Sequence, residues 1–204
     1  MHILRFAKRN VHMEVRMKIG LVRHFKVKCP HKNFMTSKEF REWSEKYERA
    51  GVLKKKVDMY GINWDVCYCS DLQRAVTTAK EVYSGQVYID KLLREVDNMP
   101  FIHSEKVILP FPVWHICGRL AWFFKSKSQP ESIRGTRRRI RKFLRQIDWD
   151  QDNILIVSHG FLIFNIIWEL FRLGFIGKEV RRVKNGILYE YECNKPIYEI
   201  KRKL

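Results

Sequence analysis

The sequence predicts an α/β protein, a three-layer α/β/α sandwich with a mainly parallel sheet and an antiparallel edge. The first observation is that short apolar runs typical of strands alternate along the chain with segments of helical periodicity. Strands and helices in alternation form parallel sheets that helices cover on both faces. The second observation is that the final segment alternates apolar and polar residues, which is typical of an antiparallel hairpin.

The first half of the chain contains three predicted strands and two predicted helices. Residues 17–22 form a short apolar run, so we expect a strand that carries Arg23 and His24 at its C-terminal end. Residues 36–50 begin with the Thr-x-x-Glu pattern of a capping box and stop at Gly51, which predicts a solvent-facing helix. The other predicted elements are a strand in residues 63–70, a helix over 72–83 with Ser70 or Asp71 as its N-cap, and a strand over 86–90.

The second half of the chain contains the most apolar predicted strand, residues 153–160 with the sequence NILIVSHG. This strand leads directly into a helix predicted over 161–173. Residues 97–112 show no clear pattern. The other predicted elements are a helix within 115–132 that ends in an exposed turn, a helix over 133–147 with its arginines outward, and a hairpin over 186–204 that turns at 194–196.

A chain of 204 residues, 46% of them hydrophobic, is long enough for one domain with a substantial core, and we assign that domain to residues 17–204. Residues 1–16 are basic and lack the apolar stretch of a signal peptide, so we expect either a mis-assigned start or a loose, disordered arm. The five cysteines form no CxxC pair, which favours a reducing cytoplasm over a disulfide framework or a zinc ribbon. Residues 161–175 are too short and too charged to span a membrane, so no membrane partner is expected.

The charge balance favours anionic ligands. Lys and Arg number 40 and Asp and Glu number 22, which gives a net charge of +18. A field of this sign attracts phosphorylated metabolites, nucleic acid or acidic lipid headgroups, and charge alone does not choose among them. A solvated basic surface explains the same composition.

Several polar residues follow directly after predicted strands. Ligands of parallel sheets bind beyond the carboxyl ends of the strands, and this rule gathers His24, residues 70–74 and residues 158–160 on one edge. Arginine binds tetrahedral oxyanions through paired hydrogen bonds, and the N–H groups that open the helix after Gly160 add a favourable dipole. We therefore expect a compact cationic pocket that suits a phosphoryl group.

Four short motifs follow one another over residues 17–160, namely LVRHF, SDLQRAVTTA, LLRE and VSHG. In this order they resemble the Arg-His-Gly signature, the Ser-x-Leu-x-Arg-Ala-x-x-Thr-Ala element, the acidic loop and the second histidine motif of one superfamily. That superfamily is the histidine phosphatases of branch 1, the phosphoglycerate-mutase-like proteins. The resemblance implies a phosphoglycerate-mutase-like fold and metal-independent hydrolysis of a small phosphorylated metabolite, with no cofactor.

The resemblance also implies roles for individual residues. His24 would be the nucleophile that becomes phosphorylated, and Glu95 would be the general acid. His159 would act beside them as the second histidine of the catalytic site. The residues implied to bind the phosphoryl oxygens are Arg23, Arg74, His159 and Gly160.

The first motif departs from the family pattern in the loop that follows it. Phe25 stands where the family has glycine, and Val27 and Pro30 stand where Thr and Asn are common. Lys26, Lys28 and His31 either supply polar contacts to the substrate or only decorate a surface loop. The stretch after Glu95, VDNMPF, lacks the Tyr-Gly continuation of the glycolytic mutases, which favours a phosphatase over a phosphoglycerate mutase.

Other interpretations of the same residues remain open. A non-catalytic phospholigand-binding or nucleic-acid-binding relative would use the basic residues 134–145 and 1–16, and the pattern specifies no oligomeric state. Arg74 could pair with an acid on its own helix, Arg94 could bind the Glu95 carboxylate, and Asp97 lies close to Glu95 in the chain.

Two other catalytic sites would need motifs that the sequence lacks. A zinc site built from His24, His31, His159 and a carboxylate lacks a short-range ligand pair. A Ser158 hydrolase lacks the Gly-x-Ser-x-Gly elbow.

We expect substrate specificity to come mainly from residues 25–35 and 96–130. His103 and His115 are expected to be structural, and Trp114, Trp122, Phe123 and Phe124 either cover the pocket or pack in the core.

Overall fold

The computed structural model describes residues 17–204, so the expected N-terminal arm over residues 1–16 lies outside the described residues. The strands are β1 Met17–Arg23, β2 Lys26–Val27, β3 Phe34–Met35, β4 Val52–Leu53, β5 Val66–Cys69, β6 Val87–Ile89, β7 Leu109–Pro110, β8 Asn153–Ser158, β9 Ile176–Gly177 and β10 Leu188–Cys193. The helices are α1 Ser37–Arg49, α2 Gln73–Val82, α3 Phe111–Phe123, α4 Ile133–Gln146, α5 Gly160–Leu173 and α6 Ile197–Lys203, with a 3-10 turn at Lys91–Leu93.

The main sheet has the strand order β6-β5-β8-β1-β10-β9. Strands β6, β5, β8 and β1 are parallel, while β10 runs antiparallel to β1, and β9 runs antiparallel to β10. This arrangement confirms the mainly parallel sheet with an antiparallel edge. In the register of β1 against β8, Arg23 lies opposite Ser158, so the carboxyl ends of these two strands are level with each other.

Hydrophobic side chains fill both faces of this sheet. Along β8, Ile154 and Ile156 belong to the cluster shared with α4 and α5, whereas Leu155 and Val157 belong to the cluster shared with α2. This alternation follows from the two-residue period of a strand. Two helical layers therefore enclose the sheet, and the predicted three-layer α/β/α fold is confirmed.

Helix α1 begins as its sequence predicts. The Thr36 hydroxyl accepts the Glu39 backbone N–H, and the Glu39 carboxylate accepts the Thr36 backbone N–H, which completes the capping box. Helix α4 turns Ile140, Phe143 and Leu144 into the core, as expected from their spacing. Four of its arginines are exposed as predicted, whereas Arg139 and Arg141 are half-buried. Among residues 17–204, no helix has both the length and the apolar character needed to cross a bilayer.

The predicted closing hairpin is wrong in its second arm. The alternating segment Leu188–Cys193 is a strand, but it pairs with β1 rather than with the residues that follow it. Those residues form helix α6 after Pro196, because Ile197, Ile200 and Leu204 recur at helical spacing and pack against the core. Helix α3 also differs from its prediction, since it begins at Phe111, where Pro112 in the first turn suits a helix start.

The predicted N-cap of α2 is wrong as well. The N-cap residue is Leu72, and no side chain accepts a capping hydrogen bond there. The Ser70 hydroxyl accepts the backbone N–H of Leu72 itself, and Ser70 lies two residues before the N-cap position, so it does not cap the helix. Asp71 instead accepts two hydrogen bonds of 2.7 Å from the Arg94 guanidinium. Arg94 is therefore occupied by Asp71, and it does not bind the Glu95 carboxylate.

Candidate active site

The strand ends bring the two predicted histidines together. His24 follows β1 and His159 follows β8, and their ring centroids lie 5.0 Å apart. Arg74, in the first turn of α2, reaches the same place and lies with its Nε 3.3 Å from Nδ1 of His159. Arg74 thus contacts His159 rather than an acid on its own helix.

The position of the ring proton on His24 follows from its contact with the backbone. Nδ1 lies 2.7 Å from the Phe25 carbonyl oxygen, and a carbonyl oxygen only accepts hydrogen bonds, so Nδ1 carries the proton. Burial, with the nearby Arg74 and Arg23 guanidinium groups, lowers the pKa of His24 to about 3. His24 is therefore neutral near pH 7, and its Nε2 has a free lone pair.

His159 has the opposite tautomer. Its Nδ1 accepts the N–H of Arg74, so the ring proton lies on Nε2. Burial holds the pKa of His159 well below its usual range, and the neighbouring His24 and Arg74 act in the same direction. His159 is a neutral hydrogen-bond donor, and it lies at the N-cap of α5.

Arg23 is held between α5 and the loop that precedes β10. Its Nη1 donates to the Val183 carbonyl oxygen at 2.8 Å. Its guanidinium also lies directly over Gly160, since a Cβ added at Gly160 would come within 2.9 Å of Cζ and Nε of Arg23. Glycine at this position leaves the room that Arg23 occupies.

The same loop is attached to the backbone at the end of β1. The Asn185 side-chain amide donates to the His24 carbonyl oxygen at 2.7 Å, and the Gly186 N–H donates to the Arg23 carbonyl oxygen at 2.8 Å. On the other side, the Phe25 N–H donates to the Thr78 hydroxyl of α2 at 2.9 Å. Hydrogen bonds from two directions therefore fix the backbone that carries His24.

Glu95 lies at the N-terminus of α5. Its Oε1 accepts the N–H groups of Val96 and Leu162, each at 2.9 Å, and its Oε2 accepts the N–H of Phe161 at 3.1 Å. A carboxylate has about four lone-pair sites, so one remains free, and it lies on Oε2. No sequence pattern indicated that the Glu95 carboxylate would accept hydrogen bonds from the backbone N–H groups at the start of α5.

Around His24, three buried donors have no hydrogen-bond partner among residues 17–204. They are Nε of Arg23, Nη1 of Arg74 and Nε2 of His159. A buried donor without a partner costs about 1–3 kcal/mol, so a cluster of three calls for an external acceptor. The positive charge of the two arginines and the donor geometry of all three groups suit an anion.

A cavity of about 720 Å³ lies above these donors. Arg23, Arg74, Glu95 and Gly160 line it, whereas His24 and His159 are not among its lining residues and are 2% and 0% exposed. Of the residues that sequence reasoning left open, Lys26 and His31 line the cavity. The lining residues that sequence reasoning missed or took as structural include Trp43, Tyr47, His115, Phe161, Arg181 and Arg182.

The aromatic residues considered from the sequence lie elsewhere. Trp114 and Trp122 are 0% and 5% exposed and pack in the core, while Phe123 and Phe124 are exposed and lie outside the cavity lining. His103 contacts the Arg41 side chain, also outside the cavity. Within the described part of the chain, no three His, Cys, Asp or Glu side chains are grouped to hold a metal ion.

Comparison with solved structures gives the same fold. The chain is similar to a proposed alpha-ribazole-5′-P phosphatase of Escherichia coli, with 18% identity, 86% of this chain and 90% of that chain covered, and a TM-score of 0.53. It is similar to the alpha-ribazole phosphatase of Shigella flexneri, with 20% identity, 85% and 89% covered, and a TM-score of 0.51. It is also similar to mycobacterial hydrolase 2, with 16% identity, 87% and 82% covered, and a TM-score of 0.53.

Comparison of the sequence itself gives the family. No curated protein matches the chain. Residues 45–202 match the family model of the histidine phosphatase superfamily, branch 1. The matched residues begin after the first histidine motif, whose following loop carries Phe25 in place of glycine. Since the match covers most of the chain, the protein belongs to branch 1 of the histidine phosphatase superfamily.

Proposed function

We propose that the protein is a cytoplasmic hydrolase of small phosphomonoesters that works through a phosphohistidine on His24. The observation that carries this proposal is the set of three buried donors without partners around a neutral histidine. A phosphoryl group would accept hydrogen bonds from all three donors while its phosphorus faces Nε2 of His24. Membership of the family supports the same reaction class.

The first step transfers the phosphoryl group to His24. The Nε2 lone pair attacks phosphorus, an Nε2–P bond forms, and the P–O bond to the leaving group breaks. Protonated Glu95 donates its proton to the departing oxygen. The Phe25 carbonyl oxygen accepts the Nδ1–H of His24 throughout, and it stabilises the positive charge that the ring gains on phosphorylation.

The second step releases inorganic phosphate. The Glu95 carboxylate takes a proton from water, the water oxygen attacks phosphorus, and the Nε2–P bond breaks. Glu95 is then protonated again, and His24 is neutral again. The free lone pair on Oε2 makes that oxygen the proton carrier, since both lone pairs of Oε1 are taken up by backbone N–H groups.

The cations of the site stabilise charge during both steps. Arg23 and Arg74 offer guanidinium donors to the equatorial phosphoryl oxygens, and His159 offers its Nε2–H. A preorganised donor of this kind is worth about 10²- to 10³-fold in rate. The proposed mechanism uses no metal ion.

The test is hydrolysis of p-nitrophenyl phosphate by purified protein in the presence of a chelator. We expect turnover, with an acid-labile phosphoprotein intermediate after rapid quenching. His24→Ala should eliminate both, whereas His103→Ala, which changes an exposed histidine outside the cavity, should retain both.

Full activity of the His24→Ala variant would overturn the proposal. Salt-sensitive RNA binding without turnover on a panel of phosphomonoesters would favour a non-catalytic relative instead. Transfer of phosphate between positions of phosphoglycerate in a coupled assay would favour a mutase.

A further inference from the structure

The cavity is much larger than a phosphoryl group requires. Cavities of about 300–1,000 Å³ accommodate whole small molecules, and this one has a volume of about 720 Å³. Arg23, Arg74 and Gly160 account for one end of it. The walls beyond that end must therefore contact the leaving group of the substrate.

One wall is a row of aromatic rings that starts at the phosphoryl end. The Arg74 guanidinium lies 5.3 Å from the centre of the Tyr47 ring. From Tyr47 the ring of Trp43 is 5.2 Å away, from Trp43 the ring of Phe111 is 4.7 Å away, and His31 stacks on Phe111 at 3.7 Å. All four ring residues line the cavity.

The rings of this aromatic wall are not simply part of the core. Trp43, Tyr47 and Phe111 are only half-buried, whereas Phe40 and Trp114 behind them are 1% and 0% exposed. Phe40 contacts Trp43 and Phe111, and Trp114 contacts Phe40, so the wall is supported from behind. The rings are held in position, and their uncovered surface belongs to the cavity.

His115 extends the aromatic wall as a neutral ring. It lies 4.7 Å from Phe111 and 5.7 Å from Trp43, one helical turn along α3 from Phe111. Burial lowers the pKa of His115 to about 4, and Arg119 adds to this effect, so the ring is uncharged near pH 7. An uncharged ring among other rings offers a flat apolar surface to a planar ligand.

From this geometry we propose that the leaving group of the substrate is a planar aromatic ring that packs against the aromatic wall. The inference rests on the proposed function, because the phosphoryl end determines where the ring begins. Two sources share this chemistry. In an aryl phosphate the ring is attached directly to the ester oxygen and would contact Tyr47, whereas in a nucleotide a sugar separates the base from the phosphate and the base would contact Trp43 and Phe111.

The test uses ligands whose binding does not depend on leaving-group reactivity. Calorimetry compares benzylphosphonate with n-butylphosphonate, and inhibition of p-nitrophenyl phosphate turnover compares adenosine 5′-monophosphate with ribose 5-phosphate. We expect the aromatic member of at least one pair to bind about tenfold more tightly. A preference in the first pair alone identifies aryl phosphates as the substrate class, and a preference in the second alone identifies nucleotides.

Variants of the ring residues test whether the aromatic wall causes the tighter binding of aromatic ligands. Trp43→Leu and Phe111→Leu should reduce it to about twofold or less, while Phe123→Leu, which changes an exposed ring outside the cavity, should leave it unchanged. Equal affinities within both pairs, together with turnover that depends on His24, would overturn this inference and leave the proposed function intact. Absence of both turnover and phosphonate binding would overturn both.

Discussion

Replacement of Gly160 by alanine tests how closely Arg23 must be held. A Cβ at this position would lie 2.9 Å from Cζ and Nε of Arg23, whereas ordinary van der Waals contact begins at 3.4 Å. The guanidinium must therefore shift by about 0.5 Å. Because Nη1 is hydrogen-bonded to the Val183 carbonyl oxygen, this shift also strains or breaks that hydrogen bond.

The expected consequence is a loss of catalysis in a protein that still folds. A misplacement of about 1 Å costs on the order of 10²-fold in rate, so a shift of half that size predicts a loss of about tenfold in kcat/KM. This corresponds to about 1.4 kcal/mol of transition-state stabilisation. Complete loss of the Arg23 donors sets an upper bound of about 10³-fold.

The assay is p-nitrophenyl phosphate hydrolysis, with thermal unfolding measured on the same samples. Gly135→Ala in α4 is the matched control, since the nearest atom to its added Cβ is Cβ of Glu131 at an ordinary 3.6 Å. We expect that control to keep full activity and to raise Tm by a few degrees, because alanine favours a helix over glycine by up to about 1 kcal/mol. Wild-type kcat/KM in folded Gly160→Ala protein would refute the reasoning.

Three further predictions concern pH, packing and salt. In the unfolded chain His24 is protonated near pH 6.5, and in the folded protein only near pH 3, so this histidine lowers the free energy of unfolding as pH falls through that window. Urea unfolding of His24→Asn should therefore show a shallower pH dependence than the wild type. An unchanged slope would contradict this. Phe25 is 0% exposed, so Phe25→Ala should lower the free energy of unfolding by about 3–5 kcal/mol in the same assay, and a loss below about 1 kcal/mol would show that its packing contributes little. The cavity lining also contains three exposed cations that form no ion pair within residues 17–204, namely Lys26, Arg181 and Arg182. They should attract an anionic substrate, so kcat/KM should fall with ionic strength. Reversing the charge of both arginines should weaken that dependence, whereas reversing the charge of a cation on α6 should not.

The central strands and the residues at their ends were predictable from the sequence because both depend on local patterns. Strands β1 and β8 are continuous apolar runs, and a strand buried on both faces has no other pattern available. The rule that ligands bind at the carboxyl ends then groups His24, Arg74 and His159. Their protonation was not predictable, because it depends on a backbone carbonyl for His24 and on a residue 85 positions away for His159.

The cavity walls were less predictable for a different reason. Trp43 and Tyr47 recur at helical spacing on α1, and the same spacing describes rings that face a core and rings that face a cavity. His115 matched no motif, and only the fold brings α3 against α1. The assignment of residues 186–204 to a hairpin failed because an alternating strand says nothing about which strand it pairs with.

The loop that precedes β10 determines when, during synthesis, the geometry around Arg23 and His24 can form. Val183, Asn185 and Gly186 restrain Arg23 and His24 across about 160 positions of sequence. During synthesis, the proposed nucleophile His24 and the arginines proposed to bind phosphate, Arg23 and Arg74, emerge from the ribosome long before the residues of this loop. A nascent chain that ends before residue 183 therefore carries every reacting group of the proposed hydrolysis, yet it lacks the hydrogen bonds from this loop to the Arg23 side chain and to the backbone of Arg23 and His24.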